Sequence, residues 1–291
     1  MRNLFKRLAS LLLVSVVMGL CPSRAFAWGT KGHQLIAHIA IGRLTTATRQ
    51  EIAALLAPNE TLVTVSFWAD QQRDEAERNW HFVAIPLKDG YYSPTKDCQR
   101  GRTCIIAALE QQIGILKTST DPEARARALK YVVHLVGDLH QPFHVTTNTQ
   151  PQDSSATKVK VKTLNGRVSN LHDVWDTDLV EYGLKSHKSV SGYATQLNDR
   201  FRRGTTTKGV PLRISTQGSI TDWALETHKF PWRAYYHTNG EFMVNDVREW
   251  PLDEEYYKQN LAIVELQLVQ AGARLARVLN EAFGGGGKAA R

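Results

Sequence analysis

Apolar residues along this chain recur mostly at the three-to-four-residue spacing of helices. From His33 to Leu44, the residues Leu35, Ile36, Ile39 and Ala40 fall on one face. A second helix is predicted through Thr48–Leu56, stopping before Pro58. Pro122 sits in the first turn of a longer helix, where proline is tolerated. Ala126, Leu129, Val132, Val133 and Val136 line this helix, which reaches about Leu139. Residues 253–283 form another, with Leu261, Val264, Leu268, Leu275 and Leu279 turned inward. Further helices are predicted around 103–117, 171–182 and 190–202.

One segment departs from this period. Lys158-Val159-Lys160-Val161-Lys162 alternates with period two, and Asn165-Gly166 follows. That pattern predicts a β-hairpin closed by a type I′ turn. Its lysines read equally as one solvated strand face or as a cationic flap beside a site. Residues 146–157 are polar and predict a loop; the glycine-rich tail 284–291 predicts a flexible end. With no internal repeat and no long linker, residues 28–283 read as one mainly α domain carrying a small β-hairpin.

Residues 1–27 stand outside that domain. Arg2, Lys6 and Arg7 form a basic start, Leu8 to Leu20 is apolar, and Ala25-Phe26-Ala27 is a small-x-small cleavage pattern. These are the parts of a secretory signal peptide, cut after Ala27. The apolar run is short for a membrane span. Cys21 follows Leu20, where a lipoprotein signal requires a small residue. The expected product is secreted or periplasmic, begins at Trp28 and has no membrane anchor. The formal charge of +8 belongs to the whole chain. Arg2, Lys6, Arg7 and Arg24 leave with the signal, so 32 basic residues face 28 acidic ones, a net +4. This permits a polyanionic substrate without requiring one. Of the three cysteines, Cys98 and Cys104 remain. In an exported protein they are expected to pair, a closure worth about 2–3 kcal/mol for so short a loop.

The chemistry-bearing residues concentrate in two His-x-x-x-Asp pairs, His134/Asp138 in YVVHLVGDLHQPFH and His172/Asp176 in NLHDVWDTDLV. A spacing of four puts both side chains on one helix face. Imidazole nitrogen and carboxylate oxygen are donors that zinc accepts. Taken singly, each candidate has an ordinary reading. His33 in WGTKGH could be a cap or surface residue, and Asp70 in SFWADQQR could cap a helix. His81 could be a hydrogen-bonded core histidine. Burying Asp138 on an otherwise apolar helix, however, needs strong compensation. His144 follows Pro142, which ends that helix and turns the chain back. Five His and three Asp in otherwise hydrophobic segments exceed the four ligands of one zinc and point to two or three metals. His38, His140, His187, His228 and His237 read as surface or structural residues.

WGTKGH, SFWADQQR, WHFVAIP, HLVGDLHQPFH and NLHDVWD, in that order, resemble the motifs of the S1/P1-type zinc-dependent nucleases. The resemblance covers most of the chain after residue 27. It implies a mainly helical phospholipase C/P1 nuclease-like fold holding three zinc ions. It makes Asp70, His81, His134 and Asp138 ligands of one zinc. Trp28, through its α-amine and carbonyl, and His33 become ligands of a second, with Asp138 bridging the two. His144, His172 and Asp176 become ligands of a third. The amine of Trp28 exists only after cleavage, so processing would complete the site.

The resemblance further implies hydrolysis of single-stranded DNA and RNA to 5′-mononucleotides, often with 3′-nucleotidase activity. Asp70 would position water, Arg73 would bind phosphate, and Phe82 would stack a base. A guanidinium fork suits two phosphate oxygens, and base stacking tolerates any sequence. Phe82 reads equally as ordinary core. No stable protein partner is implied, and a monomer is expected. Two departures bear on substrate recognition. Ala84 stands where many members carry an acid, and Gln152–Thr157 replaces a familiar Gly-Gly-Asn loop. Zinc-dependent phospholipases C share the fold, the metal count and an N-terminal Trp. They have a longer Trp-to-His spacing and end in His-x-x-x-Glu, whereas this chain has Trp28/His33 and His172/Asp176. A non-catalytic zinc-binding protein is the remaining alternative. Arg73 and the complete ligand set speak against it.

Overall fold

The computed structural model describes residues 28–98, 104–147, 158–204, 214–245 and 248–284. The expected signal peptide, residues 148–157 of the polar loop and residues 285–291 of the tail lie outside them. The described chain is mainly helical: α1 (Thr30–Ile41), α2 (Thr46–Leu55), α3 (Pro94–Asp97), α4 (Ile105–Thr118), α5 (Pro122–Asp138), α6 (Leu171–Asp173), α7 (Leu179–Leu184), α8 (Val190–Arg202), α9 (Ile220–Thr227), α10 (Pro231–Ala234) and α11 (Glu254–Phe283). Short 3-10 turns occur at Ala69–Gln71, Arg78–His81 and Pro142–His144. A π-helical stretch, Val174–Asp178, joins α6 to α7.

Capping residues fix several boundaries. Thr45 Oγ1 accepts from Thr48 N at 3.1 Å, so α2 starts two residues before its apolar period does. Asp121 accepts from Glu123 N ahead of Pro122, and Asp253 accepts from Tyr256 N at the start of α11. Each such cap contributes about 0.5–2 kcal/mol. Helix α9 escaped the periodicity but carries a reciprocal cap. Ser219 Oγ accepts from Asp222 N and Asp222 Oδ2 accepts from Ser219 N.

Helix α11 is the spine of the core. It is buried on nearly all sides from Ala262 to Ala276, beyond the single inward stripe its leucines predict. Helix α1 crosses it at Gly272, where a Cβ would stand 2.4 Å from Ile39 Cγ2. Only a glycine allows that approach. Helix α5 packs on α4 and α11, and every residue from Tyr131 to Asp138 is buried. Polar side chains of α11 hold the chain just past α5. Gln267 Nε2 donates to the His140 carbonyl at 3.0 Å, and Arg274 reaches His140 Nε2 at 3.0 Å. Burial and the Arg274 charge push His140 down to about 3, so its ring stays neutral. Reading His140 as structural agrees with this placement. His228 is likewise buried against Thr146, the Val145 carbonyl and the Asp89 carbonyl.

The hairpin forms where alternation predicts it, with β1 (Lys160–Lys162) antiparallel to β2 (Val168–Asn170). Lys160 and Lys162 are exposed and Val161 is buried. The turn differs from the expected type I′. Gly166 N donates to Thr163 O at 2.8 Å and Thr163 N donates to Arg167 O, so Leu164 and Asn165 occupy the centre and Gly166, at φ 81°, forms a left-handed bulge. The Asn165 carboxamide accepts from Thr163 Oγ1 and from Arg167 N, which favours this register. A third strand, β3 (Trp250–Pro251), pairs in parallel with β1. A two-residue strand containing proline leaves no alternation to read.

Candidate metal centre

The end of α5 carries His134 and Asp138 one turn apart, both fully buried. His134 Nδ1 lies 2.9 Å from the Ser66 carbonyl. A carbonyl only accepts, so Nδ1 carries a proton and Nε2 is the nitrogen that faces inward. His81 Nδ1 stands 3.1 Å from His134 Nε2 and 3.0 Å from Asp138 Oδ2. Asp70, on its 3-10 turn, places Oδ1 3.3 Å from His134 Nε2 and 3.7 Å from His81 Nδ1. His33 arrives from α1, stacked on His134 with ring centroids 4.0 Å apart. Its close seat depends on Gly137, where a Cβ would stand 2.8 Å from His33 Nδ1. Asp138 faces both ways. Its Oδ2 meets His81 and His134, and its Oδ1 lies 3.2 Å from His33 Nε2.

Trp28 lies at the junction. Its indole N–H donates to the Gly137 carbonyl at 3.0 Å, and the next residue, Gly29, donates to the Asp176 carbonyl at 2.8 Å. Residue 28 is thereby tied to both His-x-x-x-Asp segments.

The second group gathers His144, His172 and Asp176, all buried. His144 Nδ1 contacts the His81 carbonyl at 2.7 Å, which turns Nε2 towards Asp176 Oδ1, 3.9 Å away. His172 Nε2 is 3.3 Å from Asp176 Oδ2. Asp176 lies in the π-helical stretch, an insertion common at functional sites. Gln141 Nε2 donates to Asp176 Oδ1, and Gln141 Oε1 accepts from Phe143 N at 2.6 Å.

Both groups suit a cation. Three sets of ligand atoms, His33/Asp70/His134, His81/His134/Asp138 and His144/His172/Asp176, each lie within 4.8 Å of one another. His33 Nδ1 and Nε2, Asp138 Oδ1, His144 Nε2, both nitrogens of His172 and Asp176 Oδ2 are buried without a hydrogen-bond partner. Orphaned polar atoms are costly to bury, and so many converging lone pairs make a donor set for a borderline divalent ion.

Without a metal, the two groups are electrostatically opposite. Burial opposes charge on His134 and Asp138. Asp138 and Asp70 nevertheless hold His134 well above the imidazole range, and its imidazolium holds Asp138 well below the carboxylate range. Asp70 is lowered by the same imidazolium despite burial, while burial and the charge of His134 lower His33. In the second group, burial drives His172 well down, reinforced by His144, and lifts Asp176 well up against the Gln141 hydrogen bond.

A family description, S1/P1 Nuclease, matches residues 28–284. The chain belongs to the S1/P1 nuclease family. It is 28% identical to Nuclease S1 of Aspergillus oryzae over 276 residues, covering 88% of this chain and 91% of that protein. It is 26% identical to Endonuclease 2 of Arabidopsis thaliana, covering 94% and 97%. It is 25% identical to Nuclease P1 of Penicillium citrinum, covering 88% and 98%. As an S1/P1 nuclease it is a hydrolytic enzyme of a metal-dependent family, and it has His/Asp groups of a kind that could hold metal.

The remaining predicted residues of this S1/P1 nuclease sit around the groups. Arg73 follows the Asp70 turn, is exposed, and makes no hydrogen bond or ion pair with the described residues. Phe82 follows His81, is half-buried, and among the described residues is not part of the hydrophobic core cluster. Ala84 is half-buried, with its N–H on the Asp97 carbonyl. Cys98 and Cys104 form the expected disulfide, with Cys104 capping α4.

Three contributors to the site were not read from the sequence. Gln141, from one motif, holds Asp176 of the other. The carbonyls of Ser66 and His81 set histidine tautomers. Phe67, outside these three, lines a cleft together with Asp70. A polar residue inside HQPFH signals Gln141, whereas backbone carbonyls leave no trace in a sequence.

Proposed function

We propose that the chain processed at Trp28 is a secreted or periplasmic three-zinc nuclease that hydrolyses single-stranded DNA and RNA to 5′-mononucleotides, with 3′-nucleotidase activity. The observation that carries this reading is Asp138, with Oδ2 on His81 and His134 and Oδ1 on His33. That disposition lets one carboxylate serve two ions, one through each oxygen.

Asp70, His81, His134 and Asp138 would hold one ion. The amine and carbonyl of Trp28, with His33 and Asp138, would hold a second, and His144, His172 and Asp176 a third. Bound zinc supplies Lewis-acid neutralisation of phosphate charge and brings water near its deprotonation point at neutral pH. Asp70 positions the attacking water and takes up its proton. Hydrolysis adds hydroxide to phosphorus, breaks the P–O3′ bond and returns a proton to O3′, leaving a 5′-phosphate and a 3′-hydroxyl. Arg73 holds nonbridging oxygens through its guanidinium fork. Phe82 stacks a base without regard to its identity, which fits a nuclease of broad sequence tolerance.

The test is a substrate panel on protein beginning at Trp28, with zinc content measured and a chelator control. The expected result is close to three zinc ions and chelator-sensitive cleavage of single-stranded DNA and RNA. Zinc-loaded protein that cleaves phosphatidylcholine and neither nucleic acid would overturn it. A single extra residue before Trp28 should remove one zinc and most activity. Full activity with that extension would remove Trp28 from the ligand set.

A further inference from the structure

A cleft of about 480 Å³ opens between the two metal-ligating groups. That volume lies within the range of small-molecule sites. Asp70 lines it from one group and Asp176 from the other, so whatever enters it lies against the reacting centre. Its remaining walls include the start of α1, Phe67, and the Thr177–Glu181 stretch. We infer that this cleft is a second nucleobase subsite, in which Phe67 stacks the base on the side of the scissile phosphate opposite Phe82. The inference rests on the nuclease reading above.

Three observations select a base as occupant. Phe67 is half-buried, yet among the described residues it neither belongs to the hydrophobic core nor packs against it. Its neighbour Trp68 does pack there, so residue 67 is the position of this pair left free to meet a ligand. The cleft's side chains leave no free cation for a phosphate held on its own account. Among the described residues lining it, the lysine, Lys31, is already paired with Glu181 at 2.8 Å, and Asp70 and Asp176 are committed to metal in the reading above. An uncharged planar group needs no such cation. Finally, the Lys31–Glu181 pair and Gln71 offer hydrogen-bond donors and acceptors at the rim, the complement of a base edge.

In this reading the two half-buried rings bracket one phosphodiester. Phe67 stands three residues before Asp70, and Phe82 directly follows His81. A strand can meet both only if consecutive bases are unstacked and turned outward. Paired bases in a duplex resist this, so the bracket supplies single-strand selectivity.

The experiment compares dinucleotides with nucleoside 3′-phosphates on zinc-loaded protein beginning at Trp28. A nucleoside 3′-phosphate has one base, which goes to Phe82. Phe67→Ala should lower kcat/KM on dinucleotides by about fivefold to a hundredfold, the range of one lost base stack. It should leave nucleoside 3′-phosphates within about twofold. Phe67→Trp should restore dinucleotide cleavage, and Phe67→Ile, which keeps bulk without a π face, should not. Phe82→Ala should lower both substrates. Zinc content measured on every variant separates a lost subsite from a damaged centre. Equal loss on both substrates, or full dinucleotide activity in Phe67→Ile, would overturn the subsite while leaving the nuclease reading intact. A wild-type protein inactive on both substrates would overturn that reading, and the subsite with it.

Discussion

His134/Asp138 and His172/Asp176 share a spacing, complete burial and a carboxylate within about 3 Å of an imidazole. Their charge states are nonetheless opposite. Around the first pair, Asp70 adds a second carboxylate, and burial is outweighed: His134 holds a proton and Asp138 does not. Around the second, the neighbours are His144, the neutral amide of Gln141 and the Asp173 carboxylate, which raises Asp176 further. Burial dominates, and both His172 and Asp176 favour their neutral forms. A motif fixes which atoms meet, while the net charge of the surrounding shell fixes what they carry. The first group is partly self-compensated without a metal. Among the described residues the second has no internal cation, and a bound ion would supply the positive charge it lacks.

The sharpest way to break this contrast is to remove each aspartate. Asp138→Ala should lose two metal ions and Asp176→Ala one, with activity falling more than about a hundredfold in both, beyond the effect of losing an outer-shell partner. Metal analysis of purified variants checks the counts, and equal losses would end the bridging role proposed for Asp138. A smaller effect is expected from Gly137→Ala, whose methyl would press on His33 Nδ1 at 2.8 Å. It should displace His33, lose one ion and cost about 1–3 kcal/mol of stability. Gly272→Ala is the control. It crowds Ile39 at 2.4 Å and should cost comparable stability with full metal content. If Gly272→Ala also loses metal, the damage is global and says nothing of His33.

The same contrast shows what the sequence could carry. His134/Asp138 and His172/Asp176 were legible because four-residue spacing is a property of a helix, and because an Asp on an apolar face is costly enough to stand out. The capped helices α2, α5 and α11 were legible for similarly local reasons. What escaped depends on distant segments. The tautomer of His134 is set by the Ser66 carbonyl, 68 residues away, and Asp176 is held by Gln141 from another motif. The seat of His33 depends on the bare Cα of Gly137. The turn at 163–167 was misread because the Asn165 side chain, and not the Asn-Gly dipeptide alone, chose the register. Phe67 gave no periodic signal, since it belongs to no regular element.

Gln141 offers a milder test that should act on one group alone. It anchors Asp176 and accepts from Phe143 N, so Gln141→Ala leaves the carboxylate proposed to hold the third ion free to swing. A loss of about 10- to 100-fold in affinity at that site is expected, with the other two ions retained. Competition with a graded chelator should show one ion leaving early and two leaving as in wild type. Loss of all three together would mean that the groups are not separable.

The smallest effect, and the most direct probe of the opposite charge states, is the pH dependence of stability in chelator-treated protein. Asp138 is lowered from 3.8, so its contribution is fully present above 3.8 and fades as pH falls through its folded value. His134 is raised from 6.5, so its contribution is fully present below 6.5 and fades as pH rises through its folded value. Between 3.8 and 6.5 both are present. The second pair inverts this. Asp176 is raised, so its contribution is fully present below 3.8 and is lost as pH rises. His172 is lowered, so its contribution is fully present above 6.5 and is lost as pH falls. In the same window the unfolded chain gains by ionising both residues while the folded site resists. At pH 5–6, therefore, Asp138→Asn should lower the Tm of metal-free protein and Asp176→Asn should raise it. Thermal unfolding of the two variants in that window gives shifts of opposite sign if the shells differ as described. Shifts of the same sign would mean that burial governs both pairs alike.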